Sequence, residues 1–155
     1  MSSKSALYEQ VQKEILSVLE GEKNQIARMS TIACLLAHAF PENIWTGFYM
    51  VDTENPRELV VGPYQGTLGC LRIPFDKGVC GAAARTGETQ VVADVHDFPG
   101  HIACDSRSVS EIVVPLRNAH GELYAVLDID SPHAGTFDET DKVALEVLVA
   151  AVFGG

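Results

Sequence analysis

A chain of 155 residues that is 46% hydrophobic can bury one core of ordinary size, and its 7 prolines and 13 glycines indicate neither a disordered nor a fibrous class. The formal net charge of −10 argues against a nucleic-acid partner, whose phosphates need matching lysines and arginines. No apolar run reaches the length of a membrane span, and the start MSSKSALYEQ lacks the apolar segment and cleavage site of a signal peptide, so a cytoplasmic protein with no membrane partner is expected. In that compartment four dispersed cysteines without a C-x-x-C pair suggest chemistry or core packing rather than a disulfide framework. The same dispersal argues against a structural zinc site, and neither a metal nor a cofactor is expected.

Leu7, Val11, Ile15, Val18 and Leu19 recur at helical spacing and predict an amphipathic helix ended near Gly21. A second helix is predicted over residues 24–40, with Ile26, Met29, Ala33, Leu36, Ala37 and Phe40 on one face. Cys34 sits beside that stripe and reads as a small core residue. Pro41 stops the helix, and IWTGFYMV at 44–51 reads as a strand with Trp45, Gly47 and Tyr49 on one face. The single tryptophan suits core packing and ligand stacking equally. A second strand is expected over 58–64, in a hairpin with the first, followed by a loop that carries Cys70.

Cys80 opens a short helix of small residues, GVCGAAA, which can pack closely on a sheet. A cysteine in the first turn would lie near the positive end of the helix dipole, which favours thiolate. TQVVADV at 89–95 is the third expected strand. It leads into the stretch around which the chain is organised, DVHDFPGHIACDSRSVSEIVVPL at 94–116. There His96, Asp97, His101, Cys104, Asp105, Ser106 and Glu111 are crowded into one loop between apolar runs, bent by Pro99-Gly100. Ile102 and Ala103 are expected to lead Cys104 back to the body of the protein. The two histidines read as surface or anchoring residues rather than bases.

Residues 112–117 and 123–129 complete five strands. In the last of these, Asp128 and Asp130 share a face with Tyr124 and Val126, opposite Ala125, Leu127 and Ile129. Two carboxylates on an apolar strand are costly unless they bind something or reach water. Thr136 to Glu139 has the spacing of a capping box, and a last helix follows with Val143, Val147, Leu148 and Ala151 inward. This order predicts one α+β domain over 1–155. Its sheet is mainly antiparallel, with the terminal helices on one face and a loop-lidded pocket on the other, as in GAF and PAS domains.

KGVCGAA at 77–83, the 94–116 stretch and LDIDSP at 127–132 resemble the motifs of the free methionine-(R)-sulfoxide reductases, GAF-domain enzymes acting on the free amino acid. The resemblance implies a thiol-dependent reduction through a cysteine sulfenic acid and an intramolecular disulfide, with thioredoxin as the external reductant. It further implies catalytic roles for Cys70, Cys80 and Cys104, with Cys104 attacking and Cys70 preferred over Cys80 as resolving partner. Glu111, Asp128 and Asp130 would bind the ammonium group and supply a proton, while Trp45 and Tyr49 would form an apolar wall. A homodimer is admitted but not demanded. The competing expectation is a non-catalytic GAF sensor of a small ligand, and a cysteine peroxidase is a third.

Overall fold

The computed structural model describes residues 3–102 and 104–154. Helix α1 (Lys4–Val18) starts where the Ser3 hydroxyl accepts from the Ala6 N–H at 3.1 Å, and α2 (Gln25–Ala39) where Asn24 accepts from Ala27 N–H at 3.0 Å. Strands β1 (Trp45–Val51), β2 (Glu58–Gly66) and β3 (Arg72–Pro74) follow, then α3 (Gly78–Thr86) and β4 (Gln90–Val92). After a 3-10 turn (Val95–Asp97) and a long loop come β5 (Ser110–Arg117), β6 (Leu123–Ser131) and α4 (Glu139–Phe153). The six strands form one sheet in the order β3-β2-β1-β6-β5-β4, with every neighbouring pair antiparallel.

The alternation along β1, β5 and β6 decides which face each side chain takes. Phe48, Ile112, Val114, Leu116, Leu127 and Ile129 meet α1, α2 and α4 in one core. Trp45, Tyr49, Val113 and Val126 meet α3 on the other face. The terminal helices therefore cover one face, as the sequence predicts. The helical face is locked by a buried carboxylate: Asp141 of α4 accepts from Tyr8 OH at 2.5 Å, from Lys4 Nζ at 2.7 Å and from its own helix cap, Asp138 N–H, at 2.9 Å.

Several local expectations are corrected. Strand β3 lies inside the segment expected to be loop, because three residues are too few to show an alternation. The strand expected over 89–95 is only Gln90–Val92; Asp94 accepts from His96 N–H and turns the chain into the 3-10 turn. The capping box is formed by Asp138 and Asp141, two residues beyond the predicted one, while Thr136 binds Ser131 and the His133 carbonyl. In α4 nearly every position after Lys142 is apolar, so periodicity could not select a face; Val143, Val147 and Ala151 are exposed, and Leu145, Leu148, Val149 and Phe153 are inward. Val18 and Ile26 are exposed as well. Tyr124 packs toward Phe153 on the helical face, beside the register irregularity at Leu116/Arg117.

Candidate active site

Pairing register brings the three acids together. Glu111 of β5 lies directly across from Asp130 of β6, and Asp128 projects from the same face two residues away. Across the other ladder Asp128 faces Gly47, and Asp130 faces Trp45. Gly47 is required by close approach, since a Cβ there would lie 2.2 Å from Tyr64 Cβ. The Trp45 ring consequently lies flat between Tyr49 and Tyr64, at centroid distances of 5.2 and 4.9 Å. Helix α3 closes the floor. Its Gly81 allows the helix to sit on the Pro74–Phe75 carbonyls, where a Cβ would approach to 2.8 Å, and this places Cys80 beside the acids.

These elements and two loops line a cleft. Its polar lining is acidic at the base: Cys80, Glu111 and Asp128 are 3%, 8% and 4% exposed, and Asp130 is half-buried. Among the described residues, no lysine or arginine lines it. The Cys80 thiol donates to Glu111 Oε2 at 3.8 Å. Burial, reinforced by the neighbouring Asp128 carboxylate, pushes the Glu111 carboxyl well above its ordinary range. Burial and the adjacent carboxylate do the same to Asp128 and Asp130. Crowding of this kind favours a proton shared among the carboxyls. Asp128 Oδ1 and Trp45 Nε1 are buried without a hydrogen-bond partner among the described protein atoms.

The expectation that the helix dipole makes Cys80 a thiolate is overturned. Burial and the surrounding carboxylates of Asp128, Glu111 and Asp130 push its pKa well up, so a neutral thiol is held at the floor. Burial and the neighbouring acids together outweigh half a positive charge at a helix end.

The other two cysteines border the cleft from separate loops and are joined as a disulfide, Cys70–Cys104, with Cα atoms 5.2 Å apart. A second link holds the same loops: the Thr67 hydroxyl donates to Asp105 Oδ2 at 2.8 Å, and Arg107 donates to both Asp105 oxygens at 3.1 and 2.8 Å. The Pro99-Gly100 bend is confirmed by Gly100, whose φ of 73° suits glycine, and its carbonyl accepts from Gly78 N–H at 2.9 Å. The loop is thereby tied to the start of α3. Of the expected lead into Cys104, Ala103 lies outside the described residues, while Ile102 lines the cleft.

The cleft thus gathers Trp45, Tyr49, Cys80, Cys104, Glu111, Asp128 and Asp130, with Cys70 bonded at its border. His96 is exposed and pairs with Asp94 at 2.8 Å, as a surface residue should. His101 does line the cleft, and burial lowers its pKa, so it adds no cation at neutral pH. Sequence reasoning missed Thr67 and Ser108; the latter donates to Asp130 Oδ1 at 3.3 Å. A hydroxyl in a serine-rich loop carries no signal of its partner until the loop is folded. Cys34 is on the opposite side of the sheet, half-buried in a groove between α1 and α2 with Sγ 3.7 Å from His38 Nδ1, so its predicted full burial is corrected.

The arrangement brings together a cluster of carboxyl groups, a buried thiol, an aromatic wall and a pair of disulfide-bonded sulfurs at the rim. Residues 27–152 match the GAF domain family. The crystal structure of free methionine-R-sulfoxide reductase from Neisseria meningitidis in complex with its substrate superimposes with a TM-score of 0.93 at 48% identity, covering 98% of this chain and 89% of that one. The Saccharomyces cerevisiae free methionine-R-sulfoxide reductase is 39% identical over 97% of this chain and 86% of its own length. The Escherichia coli enzyme of the same name is 38% identical over 96% and 87%.

Proposed function

The chain belongs to the GAF-domain family of free methionine-R-sulfoxide reductases, and on that premise we propose that it reduces free L-methionine (R)-sulfoxide to L-methionine, with one GAF unit carrying the whole site. The observation that carries this reading is the juxtaposition of a disulfide-forming cysteine pair with a buried carboxylate cluster that has no lysine or arginine beside it. A sensor needs a pocket but no redox pair at its rim.

In the proposed cycle the reducing equivalents come from the two rim thiols, so the Cys70–Cys104 disulfide is the spent form. After its reduction, Cys104, the more exposed of the two, attacks the sulfoxide sulfur. That attack forms a Cys104 S–methionine S bond; the shared carboxyl proton goes to the sulfoxide oxygen, the S–O bond breaks and hydroxide leaves. This hydroxide then attacks the Cys104 sulfur, breaking the S–S bond so that Cys104 is left as a sulfenic acid and methionine is released, while the proton lost by the Cys104 thiol replaces the one the carboxyls gave. The Cys70 thiol then attacks the Cys104 sulfur, forming the disulfide and releasing water. An external dithiol such as thioredoxin restores both thiols and leaves oxidised itself.

Cys80 is too deeply buried and too strongly held as a neutral thiol to attack or to resolve in this geometry. Its role is to donate to Glu111 and help fix where the shared proton resides. Glu111, Asp128 and Asp130 receive the substrate ammonium, and the flat Trp45–Tyr49 stack faces the thioether and methyl.

Thioredoxin-coupled oxidation of NADPH with each sulfoxide diastereomer, free and within a peptide, tests the proposal. Turnover confined to the free (R) form is expected. Absence of turnover with ligand binding intact would favour the sensor, and peroxide turnover without sulfoxide turnover would favour a peroxidase.

A further inference from the structure

We propose that the floor of the cleft is also a binding site for a zinc-class divalent cation, held by Cys80 Sγ, Glu111 and Asp128, and that this ion occupies the subsite of the substrate ammonium. The part about the ammonium rests on the function proposed above; the part about the ion does not. One ligand atom from each of the three residues lies within 4.8 Å of the other two, and all three residues are buried. Sγ and Glu111 Oε2 are already 3.8 Å apart. Sulfur and oxygen ligands of a tetrahedral zinc ion are separated by about 3.5 Å, from bond lengths of about 2.3 and 2.0 Å. A small rotation of side chains therefore closes the set.

An independent observation points to a ligand here. Asp128 is 4% exposed and its Oδ1 has no hydrogen-bond partner among the described protein atoms. Neither lysine nor arginine lines the cleft to neutralise it. One sulfur with two carboxylates is an open, three-ligand set, which leaves a fourth position for water, unlike the closed structural sites that cysteine spacing in a sequence reveals. The residues come from α3, β5 and β6, so no motif spacing could disclose them.

The sulfur selects the ion. Magnesium and calcium prefer all-oxygen ligands, whereas zinc and cobalt accept thiolate. Binding requires the thiol to give up its proton: Cys80–SH becomes a metal–sulfur bond and one proton passes to solvent, with no change of oxidation state. Because binding releases that proton, affinity should rise with pH. The consequence is inhibition, with zinc-class ions and the amino acid sulfoxide competing for the same carboxylates.

The test uses the disulfide form, in which Cys70 and Cys104 cannot coordinate, titrated with Co²⁺ and followed by the thiolate-to-cobalt charge-transfer absorption. The expected result is a saturable band that grows with pH, is displaced by Zn²⁺ and is unaffected by Mg²⁺. It should persist in Cys34→Ala and disappear in Cys80→Ser. Asp128→Asn, which keeps the thiol, should weaken binding by more than about tenfold. A missing band, a band retained in Cys80→Ser, or one lost in Cys34→Ala would overturn the site. Displacement of Co²⁺ by free methionine sulfoxide but not by its N-acetyl derivative would support the shared subsite. Cobalt that stays bound at saturating free sulfoxide would leave the metal site standing and contradict the ammonium reading.

Discussion

Two buried aspartates on opposite faces of one sheet show how differently this fold treats a carboxylate. Asp141, 2% exposed, is surrounded by donors: Tyr8, Lys4 and a backbone N–H. Asp128, 4% exposed, is surrounded by Glu111, Asp130 and the Cys80 thiol, and one of its oxygens has no partner. The first arrangement joins the two terminal helices and is complete in itself. The second raises the energy of the empty fold, a cost that the substrate ammonium would offset under the proposed function. Charge satisfied by the chain marks structure; charge left for a ligand marks function.

Substitutions should separate the two faces. The largest effect is expected from Cys104→Ser, which leaves both carboxylate environments untouched. Turnover should fall by more than about a thousandfold, as loss of a catalytic nucleophile does, with a melting temperature unchanged from that of the dithiol form; sulfoxide-dependent consumption of reductant checks the first and thermal denaturation under reducing conditions the second. Residual turnover of a few per cent would move the attack to another sulfur.

Next comes Asp128→Asn, which should have opposite effects on activity and stability. Removing one charge from the ammonium subsite should lower kcat/KM by about a hundredfold or more. Stability at neutral pH should rise by about 1 kcal/mol, roughly 2–4 °C for a domain of this size. The sign follows from linkage. A carboxyl whose pKa is raised on folding binds more protons in the folded state, so its contribution to stability is most favourable below its unfolded value near 4 and declines as pH rises through the folded value. Denaturant titrations between pH 4 and 8 should therefore show wild-type stability falling more steeply than that of the variant. The same raised values keep the shared proton available at neutral pH and predict that kcat declines on the alkaline side.

Asp141→Asn should do the reverse. It breaks a buried ion pair whose lysine is one-third exposed, costing about 2–3 kcal/mol, with kcat/KM at 25 °C unchanged. Cys34→Ala should change least, within about 1 kcal/mol and with full turnover, because the residue is half-buried in the helical groove, remote from the cleft. A normal melting temperature with a large loss of rate in Cys34→Ala would erase the distinction between the faces.

The parts of the molecule legible in the sequence were those written as alternation. Strands β1 and β6 declared their two faces, and with them the shared side of Asp128 and Asp130; Glu111, read as a loop residue, proves to lie on β5 directly across from Asp130. The parts that were not legible depend on contacts between distant segments. The state of Cys80 is one: the start of a helix is visible in GVCGAAA, but the three carboxylates that dominate it come from β5 and β6. The link from Thr67 to Asp105 spans 38 residues and has no local pattern. Strand β3 is too short for periodicity, and α4 is too uniformly apolar to reveal its buried face. Asp141 stood in plain view at the third position of α4, but nothing near it in sequence announces Lys4 and Tyr8.

Under the proposed function the pocket acids await the ammonium group of a free amino acid. This central claim is tested most directly by kcat/KM for L-methionine (R)-sulfoxide against its N-acetylated, C-amidated derivative, with one chemical dithiol as reductant for both. Without the ammonium, a buried carboxylate is left unpaired, and sites built to pair a polar group reject such analogues by roughly 10⁴-fold. A ratio of that order is the predicted result; near-equal values for the two substrates would contradict the account.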